Sequence, residues 1–111
     1  MTDVELNELL SAISTPVLVD VWREGCAPCK VLSQQLSRVE QEVAEDDRSK
    51  TPLVVVRVKA DEVPDFCVKH QVSSVPTLLL FREGAILERK VGAKGGYAAL
   101  KEMLCPHLEQ P

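Results

Sequence analysis

VLVDVWREGCAPCK, residues 17 to 30, is the stretch from which the fold can be read. An apolar run, Val17-Leu18-Val19, leads through Asp20, Val21 and Trp22 toward Cys26-Ala27-Pro28-Cys29. Beyond the second cysteine, Leu32, Leu36, Val39 and Val43 recur at helical spacing. A strand running into a tight turn and then a helix sets that turn at the carboxyl edge of a sheet and at the positive end of a helix. Two thiols held there, two residues apart, can close into a small disulfide ring or open to a dithiol. Cys-x-x-Cys in such a strand–helix setting is a redox pattern.

Upstream, Thr2 to Ile13 is expected to be an amphipathic helix, with Leu6, Leu9, Leu10 and Ile13 on one face. Thr2 followed three residues later by Glu5 has the form of a capping box. Thr15-Pro16 stops this helix, and Pro16 to Trp22 forms the first strand. The long helix from Pro28 ends in the polar stretch 45–50, expected to be a solvated loop. Downstream, Pro52 to Ala60 is a second strand centred on Leu53-Val54-Val55-Val56. Val63 to His70 is a short helix with Pro64 in its first turn. Thr77 to Phe81 is a third strand, Arg82-Glu83-Gly84-Ala85 a hairpin turn and Ile86 to Val91 a fourth strand. After glycines 92, 95 and 96, Tyr97 to Leu108 forms the last helix, with Leu100, Met103 and Leu104 facing inward.

The 111 residues suit one domain, 1–111, and 45% hydrophobic content supports a core without staples. A formal charge of −4 provides no basic field for nucleic acid or an anionic membrane. No apolar run nears the ~20 residues of a membrane span. The first fifteen residues lack Lys and Arg, so no secretory signal is expected and the compartment is expected to be the reducing cytoplasm. Four unevenly spaced cysteines do not make a disulfide scaffold; in a reducing compartment a disulfide is catalytic or transient. Strands alternating with helices, then a hairpin and a helix, predict an α/β fold with a mixed sheet between helical layers.

Over nearly its whole length the chain resembles the thioredoxin family. Val19-Asp20-Val21-Trp22 resembles the family's Val-Asp-Phe-Trp, and Cys26-Ala27-Pro28-Cys29-Lys30 its Cys-Gly-Pro-Cys-Lys. Val75-Pro76-Thr77 resembles Ile-Pro-Thr, where the proline is cis and faces the cysteines. Phe81 to Gly84 resembles the turn before the last strand, and Lys90-Val91-Gly92-Ala93 the loop beside the active site. Gly25 departs from the family's Trp, Ala27 from its glycine and Gln34 from its helix-kinking proline. The N-terminal segment is short, so the family's first strand is expected to be missing. The resemblance implies a thioredoxin fold of four strands, in spatial order second, first, third, fourth, with helices on both faces.

Thiol chemistry suits these residues. The thiolate is the nucleophile, and unpaired N–H groups at the start of a helix favour the Cys26 anion. Cys26 is expected to attack a target disulfide and Cys29, one turn further in, to resolve the mixed disulfide. Pro28 helps to set the turn and offers no competing N–H. Asp20 is a carboxyl in an apolar strand. Burial would raise its pKa and let it take the Cys29 proton, a role the resemblance also implies; the plainer reading is an edge position. Arg57 stands where the family has a lysine beside that carboxyl; the plainer reading is an ordinary surface cation. By resemblance, Val75 and a cis Pro76 would turn backbone outward to pair with an extended client. Gly92 and Ala93 would border the same site, with Trp22 and Gly25 on its wall. Gly25 leaves that wall without a side chain.

Plainer readings hold for other residues. Cys67 and Cys105 are each alone in helical patterns; Cys67 reads as a small buried hydrophobe, whereas Cys105, near the C-terminus before Pro106, reads as the more exposed thiol, with only weak support for dimerisation or regulation. His70 and His107 read as surface histidines. A zinc site at Cys26 and Cys29 would need two further ligands, and no second pair is spaced for it, so no metal is expected.

The leading expectation is a protein-disulfide reductase with no bound cofactor. Its partners would be disulfide-containing client proteins and a thioredoxin reductase that supplies electrons; it would be a monomer. A second possibility is a binding module of the same fold with incidental cysteines, or a redox partner of a specialised client; only Gly25 favours either. A third, an oxidant or isomerase of an exported compartment, is disfavoured by Ala27-Pro28 and by the lack of a signal.

Overall fold

The computed structural model describes residues 1–46 and 52–108. Four strands form one mixed sheet in the order β2-β1-β3-β4. They are β1 (Val17–Trp22), β2 (Val54–Lys59), β3 (Thr77–Arg82) and β4 (Ala85–Val91). β1 is parallel to β2 and antiparallel to β3, and β3 is antiparallel to β4. The strand order and the mixed character of the sheet are those expected from the sequence.

Alternation along β1 explains the two layers. Val17, Val19 and Val21 point to one face, where they meet Leu6 and Leu10 of α1 (Asp3–Ala12) and Phe66 of α3 (Pro64–Lys69). Leu18 points to the other, against Leu32, Leu36 and Val39 of α2 (Ala27–Glu45) and Leu100, Leu104 and Leu108 of α4 (Gly96–Leu108). A strand covered on both faces reads as a continuous apolar run, and Asp20 is the exception. α1 begins at the predicted capping box: the Glu5 N–H donates to Thr2 Oγ1 at 3.3 Å, and the Thr2 N–H to Glu5 Oε1 at 3.0 Å.

Three expectations need correction. The second strand is shorter than 52–60, because a 3₁₀ turn, Ala60–Glu62, follows Lys59 and leads into α3. The hairpin turn is only Glu83-Gly84. Both residues have positive φ, 51° and 82°, a conformation whose twist matches the flanking strands and lets pairing extend to Arg82 and Ala85. His70 is half-buried rather than a free surface histidine. Its ring lies 4.6 Å from that of Phe66 and 5.2 Å from that of Phe81, and burial lowers its pKa. His107 is half-buried, with Nε2 3.0 Å from Glu88 Oε1. Of the expected solvated loop 45–50, residues 47–50 lie outside the described residues.

Candidate functional site

The end of β1, the start of α2 and the start of β3 meet at one edge of the sheet. Cys26 is the N-cap of α2, with extended backbone, and its Sγ accepts from the Cys29 N–H at 3.2 Å. Pro28 lies in the first turn of α2, where a missing N–H costs nothing. The two cysteines form a disulfide, with Cα atoms 5.2 Å apart. Cys26 is half-buried, whereas Cys29 is only 5% exposed. The helix start therefore presents one sulfur to solvent and shields the other.

Behind the disulfide is a cleft of about 500 Å³. Asp20, Trp22, Gly25, Cys26, Cys29 and Arg57 line it, together with Arg23, Glu24, Lys30 and Ser33. The sequence thus singled out six of the ten lining residues. Asp20 is 2% exposed, and burial pushes its pKa up to about 6 against the opposing pull of Arg57. Arg57 is in register with Asp20 on β2, and its Nε lies 3.9 Å from Asp20 Oδ2. Asp20 is thus no edge group, and Arg57 is no isolated surface cation.

Gly25 has φ +76°, the left-handed region that favours glycine, and a Cβ built on it meets nothing within 4 Å. The turn is open at this point. Trp22 is half-buried, with the Lys59 ammonium 5.8 Å from its ring centroid.

The Val75–Pro76 peptide bond is cis. Thr77 pairs with Val21 on one side and Val91 on the other. That register carries Val75, Pro76, Gly92 and Ala93 to the same sheet edge as Trp22. The Gly92 N–H donates to the Pro76 carbonyl at 2.8 Å and ties the two loops together. These four residues do not line the cleft beside the disulfide.

Other groups at the site escaped the sequence reading. Lys59 Nζ pairs with Glu24 at 3.0 Å, bracing the turn before Cys26. Glu40 and Ser37 hold Arg57 from α2. A signal for these existed: Cys29, Ser33, Ser37 and Glu40 follow helical spacing and form one stripe beside the apolar one. Among the described residues no group of three or more His, Cys, Asp or Glu is arranged to hold a metal. None of the described helices is long and apolar enough to cross a membrane. Cys67 packs beside the α1/α3 cluster, its Sγ 3.8 Å from the Ala60 carbonyl, and burial pushes its thiol pKa up. Cys105 is half-buried on α4.

Comparison with known proteins agrees with this geometry. The family model described as Thioredoxin matches residues 1–104. The chain is 37% identical to the thioredoxin of Mycobacterium tuberculosis over 103 residues, covering 93% of this chain and 84% of the relative. It is 39% identical to the Pseudomonas aeruginosa thioredoxin over 93 residues, 84% of this chain and 81% of the relative. It is also 35% identical over 103 residues to the bifunctional thioredoxin reductase/thioredoxin of Mycobacterium leprae, covering 93% of this chain and 21% of that protein. With its cysteine pair at the head of α2 and its match along nearly the whole chain, the protein is a member of the thioredoxin family and a thiol–disulfide oxidoreductase.

Proposed function

We propose that this protein reduces disulfides in client proteins by two exchange steps. The Cys26 thiolate attacks one client sulfur, forming a Cys26–client disulfide and releasing the other client sulfur as thiolate. Cys29, once deprotonated, attacks Cys26 Sγ, closing the Cys26–Cys29 disulfide and releasing the second client sulfur. Two electrons pass to the client, and its two sulfurs leave as thiols. The observation that carries this reading is the inequality of the two sulfurs, with Cys29 5% exposed behind a half-buried Cys26.

Asp20 is assigned as acceptor of the Cys29 proton. It lines the same cleft, and a carboxyl of pKa about 6 is a stronger base than an ordinary aspartate while still ionised at neutral pH. Val75, Pro76, Gly92 and Ala93 are assigned to bind an extended client segment, with Trp22 and Gly25 on the opposite border. The dithiol is regenerated by a separate thioredoxin reductase, consistent with the fusion of the two activities in the Mycobacterium leprae relative. The protein acts as a single-domain monomer in the cytoplasm without a bound cofactor. NADPH-coupled reduction of insulin, with thioredoxin reductase supplied, tests this reading. Turnover that is lost in Cys26→Ser supports it; no turnover by wild type overturns it.

A further inference from the structure

The stripe Cys29, Ser33, Ser37, Glu40 runs down the side of α2 that faces Arg57. Arg57 leaves β2 beside Asp20, but its shortest contact is elsewhere: Nη2 donates to Glu40 Oε1 at 2.8 Å and lies 3.5 Å from Ser37 Oγ. Its Nε is 3.9 Å from Asp20 Oδ2, too far for a hydrogen bond. A guanidinium carries its donors in a rigid planar fork, so an anchor at one end fixes where the other end points.

We infer that Glu40 is a positioning residue: by anchoring Arg57 to α2, it withholds a direct guanidinium hydrogen bond from Asp20 and leaves that carboxylate available as a proton acceptor. This rests on the assignment of Asp20 as acceptor of the Cys29 proton.

Two effects of removing Glu40 share one sign. The freed guanidinium can turn onto Asp20, the other carboxylate already beside it, and a close Arg–carboxylate pair lowers the carboxyl pKa. Loss of the Glu40 charge also removes a nearby anion, which favours ionised Asp20 further. The other groups around Asp20 stay as they are. From the turn before α2 these are Arg23, Glu24 and Cys26, and from α2 Cys29 and Lys30. From β2, Lys59 is already paired with Glu24. β3 places Leu78 opposite Asp20, and α4 contributes apolar residues to this layer.

The direct test is the Asp20 carboxyl titration followed by NMR in the oxidised protein, where neither active-site thiol titrates. Glu40→Gln is expected to lower its midpoint by about one pH unit, a tenfold loss of proton affinity. Glu40 is only partly buried, so the variant is expected to fold. The kinetic readout is rapid mixing of reduced protein with 5,5′-dithiobis(2-nitrobenzoate). The first thionitrobenzoate released reports attack by Cys26 and the second reports resolution by Cys29. In Glu40→Gln the pH midpoint of the second phase is expected to fall with the Asp20 titration. In an Asp20→Asn background, Glu40→Gln is expected to leave the second phase unchanged. An unmoved or raised Asp20 titration in Glu40→Gln overturns the inference. So does an equal Glu40→Gln effect with and without Asp20. If Asp20→Asn itself leaves resolution unchanged, the base assignment falls and the inference with it. If Asp20→Asn slows resolution but Glu40→Gln does not move it, only the inference falls.

Discussion

Asp20 and Arg57 stand opposite one another on parallel strands, yet the Arg57 Nε stops 3.9 Å from the Asp20 carboxylate. The ion pair is too loose to offset burial, and the Asp20 pKa rises from 3.8 to about 6. The folded protein therefore holds this proton more tightly than the unfolded chain. The associated stability is whole below pH ~4 and is lost as pH rises through about 6. Asp20→Asn carries no charge and is expected to be more stable than wild type by ~2–3 kcal/mol at pH 8, and by little at pH 4. Urea unfolding of both oxidised proteins at the two pH values measures this. A difference that does not change with pH would contradict it.

Cys29→Ser is expected to accumulate a covalent client adduct on Cys26, because attack proceeds and resolution cannot. Non-reducing electrophoresis with mass spectrometry of the linked peptides reads it. The adduct should vanish in Cys26→Ser, and full turnover by Cys26→Ser would remove Cys26 from its assigned role.

Gly25 combines open space with a left-handed backbone, and the two must be separated by experiment. A side chain at φ +76° costs ~1–2 kcal/mol of backbone strain. Gly25→Ala carries that strain without walling the cleft, whereas Gly25→Trp carries the same strain and adds an aromatic wall. Gly25→Trp is expected to exceed Gly25→Ala several-fold in kcat/KM on insulin with the same reductase. Equal values would show that the missing wall does not limit docking.

Asp3 caps a helix other than its own. Its Oδ1 accepts from the Phe66 N–H at 2.8 Å and its Oδ2 from the Asp65 N–H at 3.2 Å. Two N-terminal donors of α3 are thus satisfied from α1. Asp3→Ala is expected to lower unfolding stability by ~1–2 kcal/mol, with Asp3→Asn losing less. Urea midpoints of the three proteins check it, and an unchanged Asp3→Ala midpoint would show that solvent replaces the cap at no cost.

The sequence by itself determined the helices, the strands and the place of the redox pair. Leu6 and Leu10, Leu32 and Leu36, and the run Val17 to Val21 each report a period that depends on neighbours a few residues away. The Thr2–Glu5 capping box is equally local. Tertiary structure alone decided what meets across the chain. Asp3 reaches the start of α3 from more than sixty residues away. His70 enters a ring cluster with Phe66 and with Phe81 of β3, and Arg57 takes Glu40 of α2 as its short partner while holding Asp20 at a distance. Periodicity identifies the buried face of an element but not the polar partner it will find there. That choice follows from how the layers close, and a buried carboxylate feels the outcome because little solvent screens it.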